Sequence, residues 1–187
     1  VPGRRSPGSV DAFETLVRAI IGQQISVAGA RTVAGNLVLA TGTTVAAPLV
    51  DDWAGLTHVF PRPGDVVDAS DDAFRMPTAR RDTIRRSAEA VACGMVELDV
   101  GADPAETRAR LLEQRGIGPW TADYVIMRGL GHPDVMLDSD LGVVHALRSI
   151  GDVDACHWAP WRSYAVHHLW ATLDADTDTP DHREDAP

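Results

Sequence analysis

Val10, Phe13, Leu16, Val17, Ile20 and Ile21 recur at spacings of three and four residues, which puts them on one helical face. The spacing predicts a first helix from about Val10 to Ile21, with Asp11 as its N-cap. In "SVAGARTVAGNLVLATG", Ser26 can cap and Gly42 can stop a second helix, whose small residues suit close packing. The proline-rich "HVFPRPGD", His58 to Asp65, reads as a connection. "PTARRDTIRRSAEAVACG" opens at Pro77 and Thr78 and closes at Gly94, a capped helix. "DPAETRARLLEQRG" follows the same grammar, with Asp103 as cap, Pro104 in the first helical position and Gly116 past the end. A helix after Trp120 runs to about Leu130, the loop "GHPDVMLDSD" follows, and another helix starts near Asp140 and runs through "LGVVHALRS". The last, "PWRSYAVHHLW", opens on Pro160 and ends near Leu173. No alternating strand pattern and no internal repeat stand out, so the pattern predicts an all-α fold with short connections.

With 187 residues, 44% of them hydrophobic, the chain can bury one core or two small lobes sharing an interface. No apolar run approaches the roughly 18 residues of a membrane span, and the N-terminus shows no signal-peptide core, so a soluble cytoplasmic protein is expected. Cys93 and Cys156 are far apart, without metal or disulfide spacing, and are expected to be small buried side chains. The net charge of -10 argues against a nucleic-acid partner, but it is uneven. From Asp174 onward, "DADTDTPDHREDAP" sets six acids against Arg183, which is half of the net charge, and reads as a disordered solvating tail over 174–187. The folded core is then expected over 1–173. All 17 basic residues are arginines, so lysine nucleophiles, Schiff bases and P-loop lysines are excluded for this sequence.

"RGIGPWTADYVIMRG", Arg115 to Gly129, joins two helices through a hairpin with glycine at 116 and 118. Glycine adopts positive φ and admits close backbone approach, so the hairpin and the next helix can aim amides at an anion such as a DNA phosphate. A glycine C-cap followed by a helix starting at Pro119 accounts for the same letters. Trp120 and Tyr124, four apart, share a helix face; each is also an ordinary core candidate. Asp140 begins a helix, where a carboxylate stays ionised or serves simply as a cap, and Asp134 and Asp138 compete with it.

"FETLVRAIIGQQIS", "GIGPWTADY" and "PWRSYAVHHLW", in this order across about Val10 to Leu173, resemble the helix–hairpin–helix DNA glycosylase superfamily, and within it the bacterial 3-methyladenine DNA glycosylase II type. The resemblance implies a two-lobed helical core, the hairpin motif over about 107–130 and an active-site cleft between the lobes. It implies a monofunctional enzyme that flips alkylated purines from duplex DNA and hydrolyses the N-glycosidic bond. Members with a catalytic lysine carry it where Trp120 stands here, and iron–sulfur members need four close cysteines, so neither lyase chemistry nor a cluster is implied. Asp140, twenty residues after Trp120, would be the catalytic carboxylate. Trp120, Tyr124 and Trp170 would form a pocket whose electron-rich faces attract a cationic base.

By the same resemblance, Gly116, Ile117 and Gly118 grip the DNA phosphate, and the hairpin carbonyls are a candidate site for a monovalent cation. Gln24, with Gln23 beside it, takes the position that wedges into the gap left by the flipped nucleotide, where the family carries an apolar residue. Arg81 and Arg85, in "ARRDTIRRS" with Arg80 and Arg86, share a helix face as candidate phosphate contacts. His167 and His168 read as structural, and Arg162 as the partner of a buried acid. No organic cofactor is expected, and the partner is double-stranded DNA carrying alkylated bases, bound by a monomer. The family commonly carries an N-terminal α/β domain before this segment, and some relatives are fused to an alkyl-transfer regulator. Since the sequence opens on Val1, it reads as a compact variant or a piece of a longer protein. Competing functions are a non-catalytic helix–hairpin–helix DNA-binding module, a glycosylase for deaminated or etheno purines, and an acidic protein-binding chain.

Overall fold

The computed structural model describes residues 3–45, 56–151 and 153–177. Eight α-helices carry the fold among them: α1 Ala12–Gly22, α2 Val27–Thr41, α3 Pro63–Val67, α4 Thr78–Ala92, α5 Pro104–Glu113, α6 Pro119–Arg128, α7 Leu141–Ile150 and α8 Arg162–Thr177. Short polar side chains set four of the eight starts by accepting amides of the first turn. Asp11 accepts from Glu14 N, Ser26 from Gly29 N, and Asp103 from Ala105 N and Glu106 N. α3 starts on Pro63, and Asp65 reaches back to the Arg62 amide at 2.9 Å.

Apolar faces of these helices close two cores. The larger gathers Leu16, Val17, Ile20 and Ile21 of α1 with Leu37, Val66, Ile84, Leu111, Ile117, Ala122 and Val125. The smaller gathers Ile126 and Met127 with Val135, Met136, Leu137, Val143, Ala146, Val166 and Leu169. Each fully buried aliphatic side chain contributes about 1.5–3 kcal/mol. α6 therefore belongs to both lobes, through Ala122 and Val125 on one side and Ile126 and Met127 on the other. That sharing fixes the hairpin before it and the loop after it relative to each other.

Four expectations need correction. A two-residue antiparallel ladder pairs Thr43 with Val59 and Thr44 with His58, too short to leave an alternating signature. The connection His58–Asp65 also contains the start of α3. α8 begins at Arg162 rather than Pro160 and continues through Thr177, because no breaker intervenes before Pro180. The acidic segment thus starts inside a helix, and 178–187 lies outside the described residues. Both cysteines are exposed: Cys93 caps α4 where the chain turns out at Gly94, and Cys156 sits in a surface turn capped by Asp154. Among the described residues no helix is long and apolar enough to cross a membrane.

Candidate active site

The hairpin between α5 and α6 is held from three directions. Gly116 has φ +96°, and a β-carbon built there would lie 2.2 Å from Thr83 Oγ1, so the turn and the close approach of α4 both require glycine. Arg86 donates to the Arg115 carbonyl at 3.2 Å. Gln23 donates through Nε2 to the Gly116 carbonyl at 3.3 Å and to Thr121 Oγ1 at 3.0 Å. These two carbonyls face protein donors. The amide of Ile117 turns inward to the Gln114 carbonyl at 3.0 Å and its side chain is buried, so Ile117 anchors the hairpin rather than facing a ligand. No acceptor among the described residues takes the amides of Gly118, Trp120 and Thr121. Gly118 is the N-cap of α6, and a β-carbon there would meet nothing within 4 Å. Three unpartnered amides at the positive end of a helix, with open space at Gly118, suit an anion.

One turn into α6, the Trp120 ring stacks on Tyr124, with centroids 5.2 Å apart and planes inclined by 19°. The Arg128 guanidinium stands 6.0 Å from the Tyr124 centroid, so that ring is flanked one turn before and one turn after. Asp140, the N-cap of α7, binds Val143 N through Oδ1 at 2.9 Å. Trp120 Nε1 donates to its Oδ2 at 2.9 Å and Trp170 Nε1 to its Oδ1 at 2.9 Å. The structure thus brings together Asp140, Trp120 and Trp170, with Tyr124 one stacking contact away. His167 lies edge-on to Trp170, with centroids 5.1 Å apart.

A cleft of about 630 Å³ opens between α1, α2 and α6, and Trp120, Tyr124, Arg128, Arg18, Arg31 and Ile25 are among its walls. Asp140 and Trp170 are not, so the carboxylate meets the cleft through Trp120.

Other expected site residues fall differently. Arg81 and Arg85 both reach Asp71 at 2.6 Å, and Arg85 also donates to the Ala69 carbonyl and lies over Phe74. Asp71, with Asp82 beside Arg81, holds both guanidiniums within the fold. Gln23 is committed to the hairpin, and its carbonyl accepts from Arg80 at 2.5 Å, so it is not free to wedge. Gln24 is exposed with φ +60°, a left-handed backbone at the end of α1. Asp134 is paired with Arg162 at 2.6 and 2.8 Å, which removes it as a rival carboxylate and supplies the acid that Arg162 required. Asp138 is exposed. Arg128 was missed, although its spacing after Trp120 and Tyr124 on one helix face was available as a signal.

No family model matches the chain. A Mycobacterium tuberculosis protein named "Probable bifunctional transcriptional activator/DNA repair enzyme AlkA" is 40% identical over 92% of this chain and 36% of its own length. DNA-3-methyladenine glycosylase 2 of Escherichia coli is 34% identical over 91% of this chain and 61% of its own length. The chain therefore spans between about a third and three fifths of these relatives. The Schizosaccharomyces pombe 3-methyladenine DNA glycosylase, solved with abasic DNA, superposes with a TM-score of 0.71 at 22% identity, over 95% of this chain and 87% of that one. By sequence and fold the chain is similar to the helix–hairpin–helix DNA glycosylases, and among them to the bacterial 3-methyladenine DNA glycosylase II type.

Proposed function

We propose that the chain is the catalytic core of a monofunctional DNA glycosylase that releases alkylated purines, 3-methyladenine foremost, from duplex DNA in the cytoplasm. The observation that carries this reading is the convergence of two indoles on the Asp140 carboxylate at the helix that follows the hairpin. A base must leave the stack before its glycosidic bond can be reached, and aromatic surface beside a carboxylate suits the extruded nucleotide. The free amides of Gly118, Trp120 and Thr121 take a backbone phosphate, and exposed Gln24 fills the vacated stack.

Alkylation at N3 makes the purine cationic, so it leaves readily and attracts aromatic faces. The C1′–N9 bond breaks with its electron pair going to the base, which departs neutral, while positive charge develops on the deoxyribose. Asp140 stabilises that charge and orients a water whose oxygen bonds to C1′. The water's proton passes to the carboxylate or to solvent, leaving an abasic sugar. This sequence carries no lysine, so no imine forms from a lysine side chain and the strand is not cut by that route.

Release of free 3-methyladenine from dimethyl-sulfate-treated duplex DNA tests the reading. The wild-type chain should release it. Asp140→Asn should bind abasic-analogue duplex as well as wild type while losing release, because asparagine still caps α7. Binding without release by the wild type assigns instead a DNA-binding module or a different damaged base. Absence of DNA binding rejects the nucleic-acid reading of this chain.

A further inference from the structure

We infer that Trp120 and Trp170 act on the carboxylate itself, as positioning residues whose indole N–H groups fix Asp140 with Oδ2 as its working oxygen, and that Gly142, lacking a side chain, leaves the second of these bonds undisturbed. This inference rests on the glycosylase reading above and deepens it. An ionised carboxylate oxygen offers about two acceptor directions. Oδ1 receives the Val143 amide and the Trp170 indole, both at 2.9 Å, so its directions are taken. Oδ2 receives the Trp120 indole alone among the described residues, again at 2.9 Å. One direction remains there for a water or for the cationic sugar. The three donors come from α7, α8 and α6, so they hold the carboxylate plane against rotation from three sides.

Gly142 is the second residue of α7, where helix propensity alone would favour alanine. A β-carbon at that position would lie 2.9 Å from Leu173 Cδ1, 3.2 Å from Asp140 Oδ1 and 3.4 Å from Trp170 Cδ1. A methyl group there would press on Leu173 and, by a few tenths of an ångström, on the Asp140 oxygen that takes the Trp170 bond, with Trp170 itself at contact distance. Ring stacking on a base does not need that bond, so the two roles of the tryptophans can be separated by experiment.

The separating substitution replaces each tryptophan in turn with its benzothiophene isostere, in which sulfur takes the place of the N–H while ring size and faces are kept. Trp170→Phe and Gly142→Ala provide independent variants. Single-turnover release of 3-methyladenine, the dissociation constant for an abasic-analogue duplex, and the melting temperature are measured on each. The isosteres should lose about tenfold or more in rate while DNA affinity changes by less than about twofold, as for a misplaced catalytic group. Gly142→Ala should also slow release while abasic-duplex affinity stays within about twofold, whatever its melting temperature, whereas a merely structural glycine would leave the rate of the folded protein unchanged. Isosteres that keep the wild-type rate overturn the inference and leave the tryptophans as stacking surfaces, with the glycosylase reading intact. A wild-type chain that binds the duplex but releases no base overturns the reading itself, and the inference with it.

Discussion

Burying an imidazole beside two guanidiniums carries a penalty that only acid reveals. His167 is 8% exposed, and its Nε2 has no partner among the described residues. Loss of solvent, then the charges of Arg128, Arg4 and His168, push its pKa down from 6.5 to about 4. Above pH 6.5 the ring is neutral in both folded and unfolded chains, and its contribution to stability is full. As the pH falls from 6.5 towards 4, the unfolded chain binds a proton that the folded one refuses, and stability is lost by up to roughly 3 kcal/mol. Urea midpoints across that window should fall more steeply for the wild type than for His167→Leu, which takes up no proton. At the hairpin, Gly116→Ala meets both a positive φ and Thr83, so it should cost more than about 1 kcal/mol in chemical denaturation.

The loop that delivers Asp140 is tied to the start of α8, the helix that delivers Trp170. Ser163 Oγ donates to the His132 carbonyl at 2.7 Å and accepts from Val135 N at 3.0 Å, while Arg162 pairs with Asp134 through two oxygens. The Arg162 guanidinium holds the Asp134 carboxyl below its ordinary range. Asp134→Asn should therefore lower stability by about 1–3 kcal/mol at neutral pH. That gap should narrow in acid, as protonation removes the wild type's advantage below the ordinary carboxylate value; a pH series of denaturation curves checks it. The helices were legible in the sequence because their caps are local: Asp11, Ser26, Asp103 and Asp140 each accept an amide within three residues. The ion pairs were not, since Arg81 and Arg85 find Asp71 ten and fourteen residues away, and Arg162 finds Asp134 across twenty-eight. Asp140, Trp120 and Trp170 could be named only through three motifs read together, because nothing local says that indoles twenty and thirty residues away will share one carboxylate.

At the scale of the whole molecule, a net charge of -10 conceals an uneven allocation of arginines. Arg18, Arg81, Arg85, Arg108, Arg110 and Arg162 are each paired with a carboxylate, whereas Arg31 and Arg128 line the cleft without one among the described residues. If the cleft face meets DNA, Arg31→Gln and Arg128→Gln should each reduce the slope of log affinity against log salt by about one. Arg81→Gln should leave that slope unchanged and lower stability by up to about 1 kcal/mol. The sharing of α6 between two cores also bears on how the chain is made. As residues leave the ribosome in order, the first lobe completes its packing only when α6 arrives, and that helix brings Ile126 and Met127 with it. Until the stretch from Val135 to Leu169 follows, the lobe carries an adhesive patch, so a chain truncated after Leu130 and released from the ribosome would need a chaperone.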